Sequence, residues 1–384
     1  MTTYLDKQLV VVMHRFELQG GQERSTYEIV THLARMGWQI DVYSFTRTAW
    51  PSQLPIRWHR VPGFKIPMVF LRAFWFRWFT WVCVRSKYKT KSPRPLFFTL
   101  GIDSFFADVR CVQFLHSAAA ALIRDGKLPH PNVRSILHKF YQQLMLNYHV
   151  WLEQKYLGRC SALIAISRSV EKDIRRLVNG AAHVPLSVIH HAPDAVKPSE
   201  ISDGKKGNTT ALLFVGTLER KGIEKALCYL GALKHLPWHF SVLGDGNRKR
   251  WEALAEKLGI KGKVSFLGHQ GATSFYPLAD LLLLPSLYEP FGLVISEAIS
   301  LGCLPLASSE CGAMELWDER PPWMKISAFD EDDRWIEALG KLLESAELRK
   351  KLSREAAEAF HRWSWEAAAL QYEGAFLRVM GSRD

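Results

Sequence analysis

The sequence predicts an α/β protein made of two domains, each a doubly wound parallel sheet. Short and almost unbroken apolar runs, such as 8–14 and 211–215, have the length and composition of strands that are buried on both faces of a sheet. Turns rich in glycine or proline, and then stretches with helical periodicity, follow many of these runs. A chain of 384 residues, 48% hydrophobic and 23% charged, also has enough material for two globular domains.

The first domain is predicted to open with a right-handed βαβ unit of the Rossmann type. Residues 8–14 form its first strand, residues 25–36 have the apolar spacing of a helix, and residues 39–45 form the next strand. The loop between the first strand and the helix holds Gly20 and Gly21. Adjacent glycines let a backbone approach a ligand closely, although a plain tight turn has the same composition.

The rest of the first domain continues this alternation. Strands are predicted at 96–100, 109–115, 160–167 and 184–189, and helices at 135–156 and 170–178. His116 directly follows the second of these strands. Ser167 directly precedes a helix, where its hydroxyl either contacts a phosphate or caps the helix, and we favour the cap.

A stretch rich in Pro, Ser, Gly and charged residues separates the two domains. We therefore predict a first domain at 1–189, a linker at 190–210, a second domain at 211–362 and a final helix at 363–384. The second domain begins with a strand, a loop that carries Arg220 and Lys221 between two glycines, and a helix. Its further strands are predicted at 240–243, 264–268 and 304–307.

The sequence LLLLPSLYEPFGLVISEAIS in the second domain predicts a buried strand, a loop and a helix. The loop carries Glu289 and the helix carries Glu297. Phe291, Gly292 and Leu293 fall at the helix start, where free backbone N–H groups and the helix dipole favour an anion. Two carboxylates beside an anion site suit a sugar diphosphate, because its hydroxyl groups need acceptors while its phosphates need the amides.

Three motifs together give the chain a family resemblance. The segment PSLYEPFGLVISEAISLGCLPLAS resembles, nearly position by position, the signature of the retaining, nucleotide-sugar-dependent glycosyltransferases of family 4. The loop Gly20-Gly21-Gln22-Glu23-Arg24 resembles the family's GGxER loop, and Arg220-Lys221-Gly222 resembles its basic pair followed by glycine. The resemblance implies the GT-B fold, in which two Rossmann-like domains face a central cleft. It also implies that the final helix at 363–384 crosses back to the N-terminal domain.

The resemblance also implies roles for the residues of the second domain. Arg220 and Lys221 would neutralise the donor diphosphate, assisted by the helix start at 291–293. Glu297 would accept hydrogen bonds from the ribose hydroxyls, and Glu289 from the donor sugar. The basic loop is a residue or two shorter than in the commonest family members, so the division of labour between its two cations stays open.

In the first domain the resemblance concerns a loop and a histidine. Gly20 and Gly21 would lie over the donor diphosphate and the acceptor side of the cleft. His116 stands where many members have a histidine that faces the reaction centre; alternatively it is a core or helix-capping histidine. No Asp-x-Asp motif stands out and no Cys/His cluster has zinc spacing, so we expect no metal and no other cofactor.

Positive charge is concentrated in the first half of the chain. Residues 1–190 carry 26 Lys and Arg against 11 Asp and Glu, whereas residues 191–384 have a net charge of −3. Segment 64–94 combines a Phe- and Trp-rich run with a basic end. We reject a membrane span at 67–84, because it is short and would place Arg77 near mid-bilayer at a cost of about 2.5–3.5 kcal/mol. The segment is a helix packed on the first sheet, an interfacial helix on anionic lipid, or both.

These observations predict a retaining glycosyltransferase that moves a hexose from a nucleotide-diphosphate sugar, preferably a UDP-sugar, to a lipid-linked or cell-surface glycan such as a lipopolysaccharide core. We expect a cytoplasmic protein associated peripherally with the inner face of the cell membrane. No nucleic-acid-binding motif is recognisable, so no nucleic acid is expected as a partner. The alternatives are a nucleotide-sugar epimerase on the same fold and a non-catalytic subunit of a glycosylation complex.

Overall fold

The structure, a computed structural model, describes residues 7–63, 69–129, 136–193 and 209–382. The chain divides into two compact units. The first unit contains residues 1–120, 140–191 and 365–384, and the second contains residues 121–139 and 192–364. Most of the predicted linker, at 194–208, lies outside the described residues.

The boundary expected from the sequence differs from these units in one internal segment. Residues 121–139 are predicted from the sequence to belong to the first domain, whereas the structure places them in the second unit. Leu128 is buried, and the ammonium nitrogen of Lys127 lies 5.2 Å from the centre of the Phe329 ring. These contacts join the segment to the second unit, and no local sequence pattern predicts them.

The first unit is built around a parallel sheet of seven strands. Its strands are β1 (Gln8–Val12), β2 (Arg15–Phe16), β3 (Gln39–Ser44), β4 (Thr46–Arg47), β5 (Ile56–Arg60), β6 (Leu96–Leu100), β7 (Val109–Val112), β8 (Ala162–Ala165) and β9 (Leu186–Val188). Its helices are α1 (Gly21–Arg35), α2 (Val69–Tyr88), α3 (His116–Arg124), α4 (Ile136–Tyr156) and α5 (Arg168–Leu177). The sheet order is β5-β3-β1-β6-β7-β8-β9, and β2 pairs separately with β4.

The central strands of this sheet are buried, as their apolar runs predict. Every residue of β6 and β7 is buried, and so are the last four residues of β1. Strand β5 is not predicted from the sequence, because Ile-Arg-Trp-His-Arg is mostly polar; as an edge strand it needs to bury only Ile56 fully. The predicted cap is confirmed, since Ser167 Oγ accepts a hydrogen bond from the Val170 N–H at 3.2 Å.

One face of α2 packs against this sheet. Phe76, Val84 and Tyr88 of α2 join a buried cluster that includes Val12 of β1 and Phe97 of β6. This arrangement confirms the interpretation of the aromatic segment as a helix packed on the first sheet. Residues 64–68 of that segment lie outside the described residues.

Arg77 of α2 is buried inside the first unit. Its guanidinium donates hydrogen bonds to the Ile102 carbonyl oxygen at 3.1 Å and to the Tyr148 hydroxyl at 3.0 Å. The charge that argues against a membrane span thus serves to join α2 to its neighbours. Within the ranges that the structure describes, no helix combines the length and hydropathy needed to cross a membrane.

The second unit contains a parallel sheet of five strands. Its strands are β10 (Thr210–Val215), β11 (Trp238–Leu243), β12 (Val264–Gly268), β13 (Leu281–Leu284) and β14 (Leu304–Ala307). Its helices are α6 (Ile223–Ala232), α7 (Arg248–Lys257), α8 (Leu293–Ser300), α9 (Asp332–Glu344) and α10 (Ala346–His361). The sheet order is β12-β11-β10-β13-β14. Because β10 and β13 are parallel neighbours, the loops after their carboxyl ends begin side by side.

The last helix, α11 (Trp365–Gly381), belongs to the first unit. The Glu373 carboxylate on α11 accepts hydrogen bonds from Lys7 Nζ at 2.8 Å and from Trp38 Nε1 at 2.9 Å. Tyr372 and Phe376 are buried, and both rings contact Phe98 of β6. The helix therefore completes the hydrophobic core of the first unit.

Candidate functional site

The main candidate site lies in the second unit, where β10 and β13 end. The N–H of Leu287 donates a hydrogen bond to the Arg220 carbonyl oxygen at 3.0 Å, so the loop after β13 is bound to the loop after β10. Glu289 lies two residues further on, and only 9% of its surface is exposed. Its backbone carbonyl accepts a hydrogen bond from the Gly312 N–H at 3.3 Å. Backbone contacts on both sides therefore fix the position of this carboxylate.

Two cations meet the carboxylate of Glu289. Arg220 Nη1 lies 3.2 Å, and Lys221 Nζ 3.1 Å, from Glu289 Oε2. Lys221 is only 6% exposed, so its charge is almost fully removed from water. Burial raises the pKa of Glu289, but the charges of Lys221 and Arg220 outweigh burial, and the net pKa lies below its usual value. The carboxylate is therefore ionised at neutral pH.

Two glycines with positive φ allow the basic loop to come this close. Gly216 has a φ of 123°, and a Cβ there would lie 2.6 Å from Lys221 Cε. Gly222 has a φ of 80°, and a Cβ there would lie 2.0 Å from the Pro285 carbonyl oxygen. Only glycine combines this backbone conformation with the missing side chain. The glycines on either side of the basic pair therefore set the approach of Lys221 and of the loop after β13.

Helix α8 begins directly beside this cluster. Gly292 precedes the helix with a φ of 95° and provides no side-chain cap. In the first turn the Ile295 N–H donates a hydrogen bond to the Gly292 carbonyl oxygen at 2.9 Å. A Cβ on Gly292 would lie 3.1 Å from Glu289 Cγ, so Glu289 packs against the helix start. Glu297, one turn further along, accepts a hydrogen bond from the hydroxyl of the buried Tyr276 at 3.0 Å.

This arrangement suits a ligand that carries both phosphates and hydroxyl groups. Two cations against one carboxylate leave an excess of one positive charge, and the helix start adds further positive potential. Arginine offers five N–H donors and lysine three, so contact with Glu289 leaves donors for phosphate oxygens. The carboxylates of Glu289 and Glu297 offer acceptors for hydroxyl groups. The geometry therefore fits a sugar diphosphate better than a simple anion.

A second candidate site is a cavity of about 140 Å³ in the first unit. Residues from the carboxyl ends of β6 and β7 line it. Its polar lining consists of Gln22, Asp103, Gln113, His116 and Glu153. Ligands of open α/β sheets bind at this edge, so the cavity is placed where a substrate is expected.

Glu153 holds His116 in this cavity. The Glu153 carboxylate is 2% exposed and accepts hydrogen bonds from the His116 N–H at 2.6 Å and His116 Nδ1 at 2.8 Å. Its other oxygen accepts from the Ser117 N–H at 2.8 Å and Ser117 Oγ at 2.6 Å. The His149 ring stacks on His116 at 4.4 Å, and burial lowers the pKa of His149 to about 3, so that ring is neutral. Glu153 therefore caps α3 and fixes Nδ1, which leaves Nε2 for a substrate.

Glu153→Gln is expected to destabilise the first unit by about 2 kcal/mol and to slow turnover. The amide NH₂ of glutamine would face N–H donors, and a buried donor without an acceptor costs about 1–3 kcal/mol. Urea unfolding and a sugar-transfer assay measure the two effects. The matched control is Glu171→Gln, which changes a half-buried acid in the first turn of α5 and should leave both quantities unchanged. Equal stability of the two variants would contradict this account of Glu153.

Two polar residues at this edge of the sheet are not predicted from the sequence. His14 Nδ1 lies 2.9 Å from Asp103 Oδ1. Burial raises the pKa of Asp103, but the nearby His14 and Arg77 lower it by more than burial raises it. The net pKa of Asp103 therefore lies below its usual value. The available signal is position, since His14 and Asp103 each come just after a buried strand.

The predicted site residues are divided between the two units. Glu289 meets the basic pair at 220–221, whereas His116 lies in the cavity of the first unit. Gly20 and Gly21 lie at the start of α1, also in the first unit, and Gly20 has a φ of 88°. The roles of these residues toward a substrate stay predictions.

Two family models match the chain. The model of glycosyltransferase family 4 matches residues 19–196, and the model of the group 1 glycosyltransferases matches residues 198–359. The first match contains the loop with Gly20 and Gly21. The second contains the basic pair and both glutamates of the signature segment.

Characterised relatives align with parts of the chain. Glycogen synthase of Mycobacterium tuberculosis is 32% identical over 177 residues, which cover 44% of this chain and 42% of that protein. The lipopolysaccharide glucosyltransferase WaaG of Escherichia coli K12 is 36% identical over 115 residues, which cover 29% of this chain and 31% of that protein. The chain thus matches less than half of the length of these relatives.

Solved structures are similar over nearly the whole chain. A crystal structure of WaaG has a TM-score of 0.67 at 19% identity and covers 97% of this chain and 100% of its own. Sucrose-phosphate synthase from Thermosynechococcus elongatus has a TM-score of 0.71 at 19% identity, and the match covers 98% of this chain and 100% of that chain. Anabaena HepE in complex with UDP-glucose has a TM-score of 0.65 at 17% identity, and the match covers 98% of this chain and 99% of that chain. At these identities the similarity shows the fold.

Two Rossmann-like units, with a basic loop and a buried glutamate at the strand ends of the second, define the GT-B class of glycosyltransferases. The chain belongs to glycosyltransferase family 4 and resembles WaaG. The fold class and the family expected from the sequence are confirmed.

Proposed function

We propose that the protein is a retaining, metal-independent glycosyltransferase that moves a hexose from a UDP-sugar to a lipid-linked or cell-surface glycan, such as a lipopolysaccharide core. The observation that carries the proposal is the contact of Lys221 and Arg220 with Glu289 beside the start of α8. This contact places two cations that suit a diphosphate beside a carboxylate that can accept hydrogen bonds from sugar hydroxyls.

In this proposal the second unit binds the donor. Lys221 and Arg220 turn part of their N–H donors to the diphosphate and stabilise the negative charge that develops as the bond between the sugar and the phosphate breaks. The uncapped N-terminus of α8 adds to this stabilisation. Glu289 accepts hydrogen bonds from the sugar, and Glu297 from the ribose. The cations and amides supply the charge that a bound metal supplies in other enzymes.

The first unit supplies the acceptor contacts in this proposal. The cavity beside His116 accepts a sugar hydroxyl group, and Glu153 is a positioning residue that keeps His116 Nε2 free. The names of similar proteins support the choice of substrates: WaaG is a lipopolysaccharide glucosyltransferase, and HepE has been solved with UDP-glucose. The epimerase alternative needs no acceptor, so it leaves this cavity without a role.

Association with an anionic membrane is also part of the proposal. The face of α2 that points away from the core exposes large apolar side chains at helical spacing: Leu71, Phe74, Trp78, Trp81 and Val82, each 36–49% exposed. Three apolar residues of α4 are still more exposed: Phe140, Leu144 and Trp151. Basic side chains such as Arg85 and Lys89 follow the aromatic run. Aromatic residues beside cations suit the boundary between lipid headgroups and acyl chains.

The double variant Phe74→Ser/Trp78→Ser is expected to bind anionic vesicles at least tenfold more weakly than the wild type, because it removes two exposed rings from the proposed lipid-facing surface. Co-sedimentation with phosphatidylglycerol vesicles measures the change. The matched control, Leu370→Ser, removes an exposed apolar residue (54%) from α11 and should bind as the wild type does. Equal binding by all three proteins would exclude this surface.

The function is tested by transfer of labelled sugar. Purified protein is incubated with labelled UDP-glucose or UDP-galactose and glycolipid extracted from cells that lack the enzyme. The proposal expects label in the glycolipid, unchanged by EDTA, with the anomeric configuration of the donor. An isomerised UDP-sugar formed without acceptor would indicate an epimerase instead. Absence of both products across nucleotide sugars and extracts would favour a non-catalytic subunit.

A further inference from the structure

Arg47 lies at the carboxyl edge of the first sheet in an unusual setting. Its guanidinium carbon lies over the rings of two tryptophans, 4.7 Å from the centre of Trp50 and 4.8 Å from the centre of Trp58. Arg47 ends β4, Trp50 follows in the next loop, and Trp58 lies on the edge strand β5. The two rings cover the guanidinium, while the residue as a whole remains exposed.

Both rings are held in place by other contacts. Trp58 Nε1 donates a hydrogen bond to Ser44 Oγ at 2.9 Å. Trp50 packs edge-on against Phe16 with 5.7 Å between ring centres, and the Tyr27 hydroxyl donates to the Ala49 carbonyl oxygen at 2.9 Å. The tryptophans therefore form a fixed support, and Arg47 loses little further freedom when it binds a ligand.

Among the described residues, the guanidinium of Arg47 has no polar partner. Across the described parts of the chain it forms neither a hydrogen bond nor an ion pair, and it lies over the two rings. No Asp or Glu occurs between residues 42 and 102, and the exposed Arg15 and Arg60 lie on the neighbouring strands β2 and β5. A flat cation whose N–H donors are all unused is a preformed site for an oxyanion.

The location of Arg47 connects it to the substrate edge of the first unit. The Thr48 N–H donates to the Phe16 carbonyl oxygen at 2.8 Å, and the Leu18 N–H donates to Thr48 Oγ1 at 3.2 Å. Arg47 is thereby tied to the segment that leads into Gly20 at the start of α1. Ligands of open α/β sheets bind along this edge.

We propose that Arg47, supported by Trp50 and Trp58, binds a phosphate group on the sugar acceptor. The inference rests on the proposed function, because it assumes that the first unit receives the acceptor. The guanidinium makes a bidentate contact with two phosphate oxygens, and the tryptophan rings keep its donors directed outward. Arg47 thereby selects phosphorylated over unmodified acceptors.

The site can be tested before the natural acceptor is identified. The protein is labelled with 5-fluorotryptophan, and the ¹⁹F resonances of the two rings are assigned with Trp50→Phe and Trp58→Phe. Glucose 6-phosphate is expected to shift both resonances, unmodified glucose to shift neither, and inorganic phosphate to bind at least threefold more weakly than the sugar phosphate. Arg47→Ala should weaken binding of glucose 6-phosphate at least tenfold, and Arg47→Lys should do so less, because lysine keeps the charge and loses the fork.

The matched control is Arg57→Ala, which removes an exposed positive charge from the same edge strand. It should change the affinity less than twofold. Equal losses in the Arg57 and Arg47 variants would overturn the proposal, as would inorganic phosphate binding as tightly as the sugar phosphate. Shifts caused by phosphatidylglycerol vesicles and not by glucose 6-phosphate would assign Arg47 to lipid instead. Calorimetry with UDP separates the two proposals. UDP should bind to Arg47→Ala as tightly as to the wild type, because Arg47 is assigned to the acceptor. Failure of UDP to bind to the wild type would refute the proposed function itself.

Discussion

Glu289→Gln is expected to lower kcat for sugar transfer by about 10²–10³-fold, the loss seen when one preorganised group is removed from a transition-state site. Glutamine keeps the shape and one hydrogen-bond acceptor of the side chain. It removes the negative charge that lies within 3.2 Å of Lys221 and Arg220 and that faces the donor sugar in our proposal. A transfer assay measures kcat, and calorimetry with UDP should show an affinity within a few-fold of the wild type.

Glutamine is a sharper test than alanine at this position. Both substitutions break the ion pairs of Glu289, and breaking a buried ion pair costs about 3–5 kcal/mol. Glutamine keeps an acceptor oxygen for Lys221, which is 6% exposed, whereas alanine removes the acceptor as well. A loss of activity in the alanine variant would therefore have two possible causes, a lost catalytic group and a destabilised fold. Glu252→Gln, which breaks the exposed pair of Glu252 with Arg248 on α7, is the control and should keep full activity. Full activity of Glu289→Gln would refute the role assigned to this carboxylate.

Lys221→Ala is expected to weaken UDP binding by about 10–100-fold, because a hydrogen bond to a charged group contributes about 1.5–3 kcal/mol. Lys221 is the more buried of the two cations, so water screens its contact with a phosphate less than that of Arg220. Calorimetry measures the affinity directly. The variant also leaves Glu289 with Arg220 as its remaining cation, so its unfolding curve should be recorded in parallel.

The control for Lys221→Ala is Lys225→Ala, one helical turn further along the chain. Lys225 Nζ pairs with Asp332 at 3.2 Å and is 30% exposed. Each variant removes one positive charge, from beside Glu289 in Lys221→Ala and from beside Asp332 in Lys225→Ala. Equal affinities for UDP in both variants would show that Lys221 does not contact the diphosphate.

The sequence predicts the interior of the fold well, because buried strands leave a strong local pattern. The strand predicted at 96–100 is observed at Leu96–Leu100, and all five of its residues are buried. The edge strand β5 is missed because a strand with one neighbour needs few apolar residues. The placement of residues 121–139 in the second unit also escapes prediction, because it depends on contacts such as that of Lys127 with Phe329.

The candidate site is predicted residue by residue, but its contacts are not. The motifs identify Arg220, Lys221 and Glu289 separately. Their ion pairs form because β10 and β13 are neighbours in the sheet, a fact of tertiary structure that joins loops almost seventy residues apart. Likewise, Glu153 is the one acidic residue in the sequence of α4, but its four hydrogen bonds to the start of α3 are visible only in the structure.

The most direct test of the central claim is calorimetry of the wild-type protein with UDP, GDP, ADP and CMP, each with and without EDTA. The account predicts that UDP binds most tightly and that EDTA leaves its affinity unchanged, because Lys221, Arg220 and the start of α8 carry the diphosphate without a metal. Failure of all four nucleotides to bind would contradict a donor site in the second unit. Loss of UDP binding on chelation would contradict the assignment of the diphosphate to these cations.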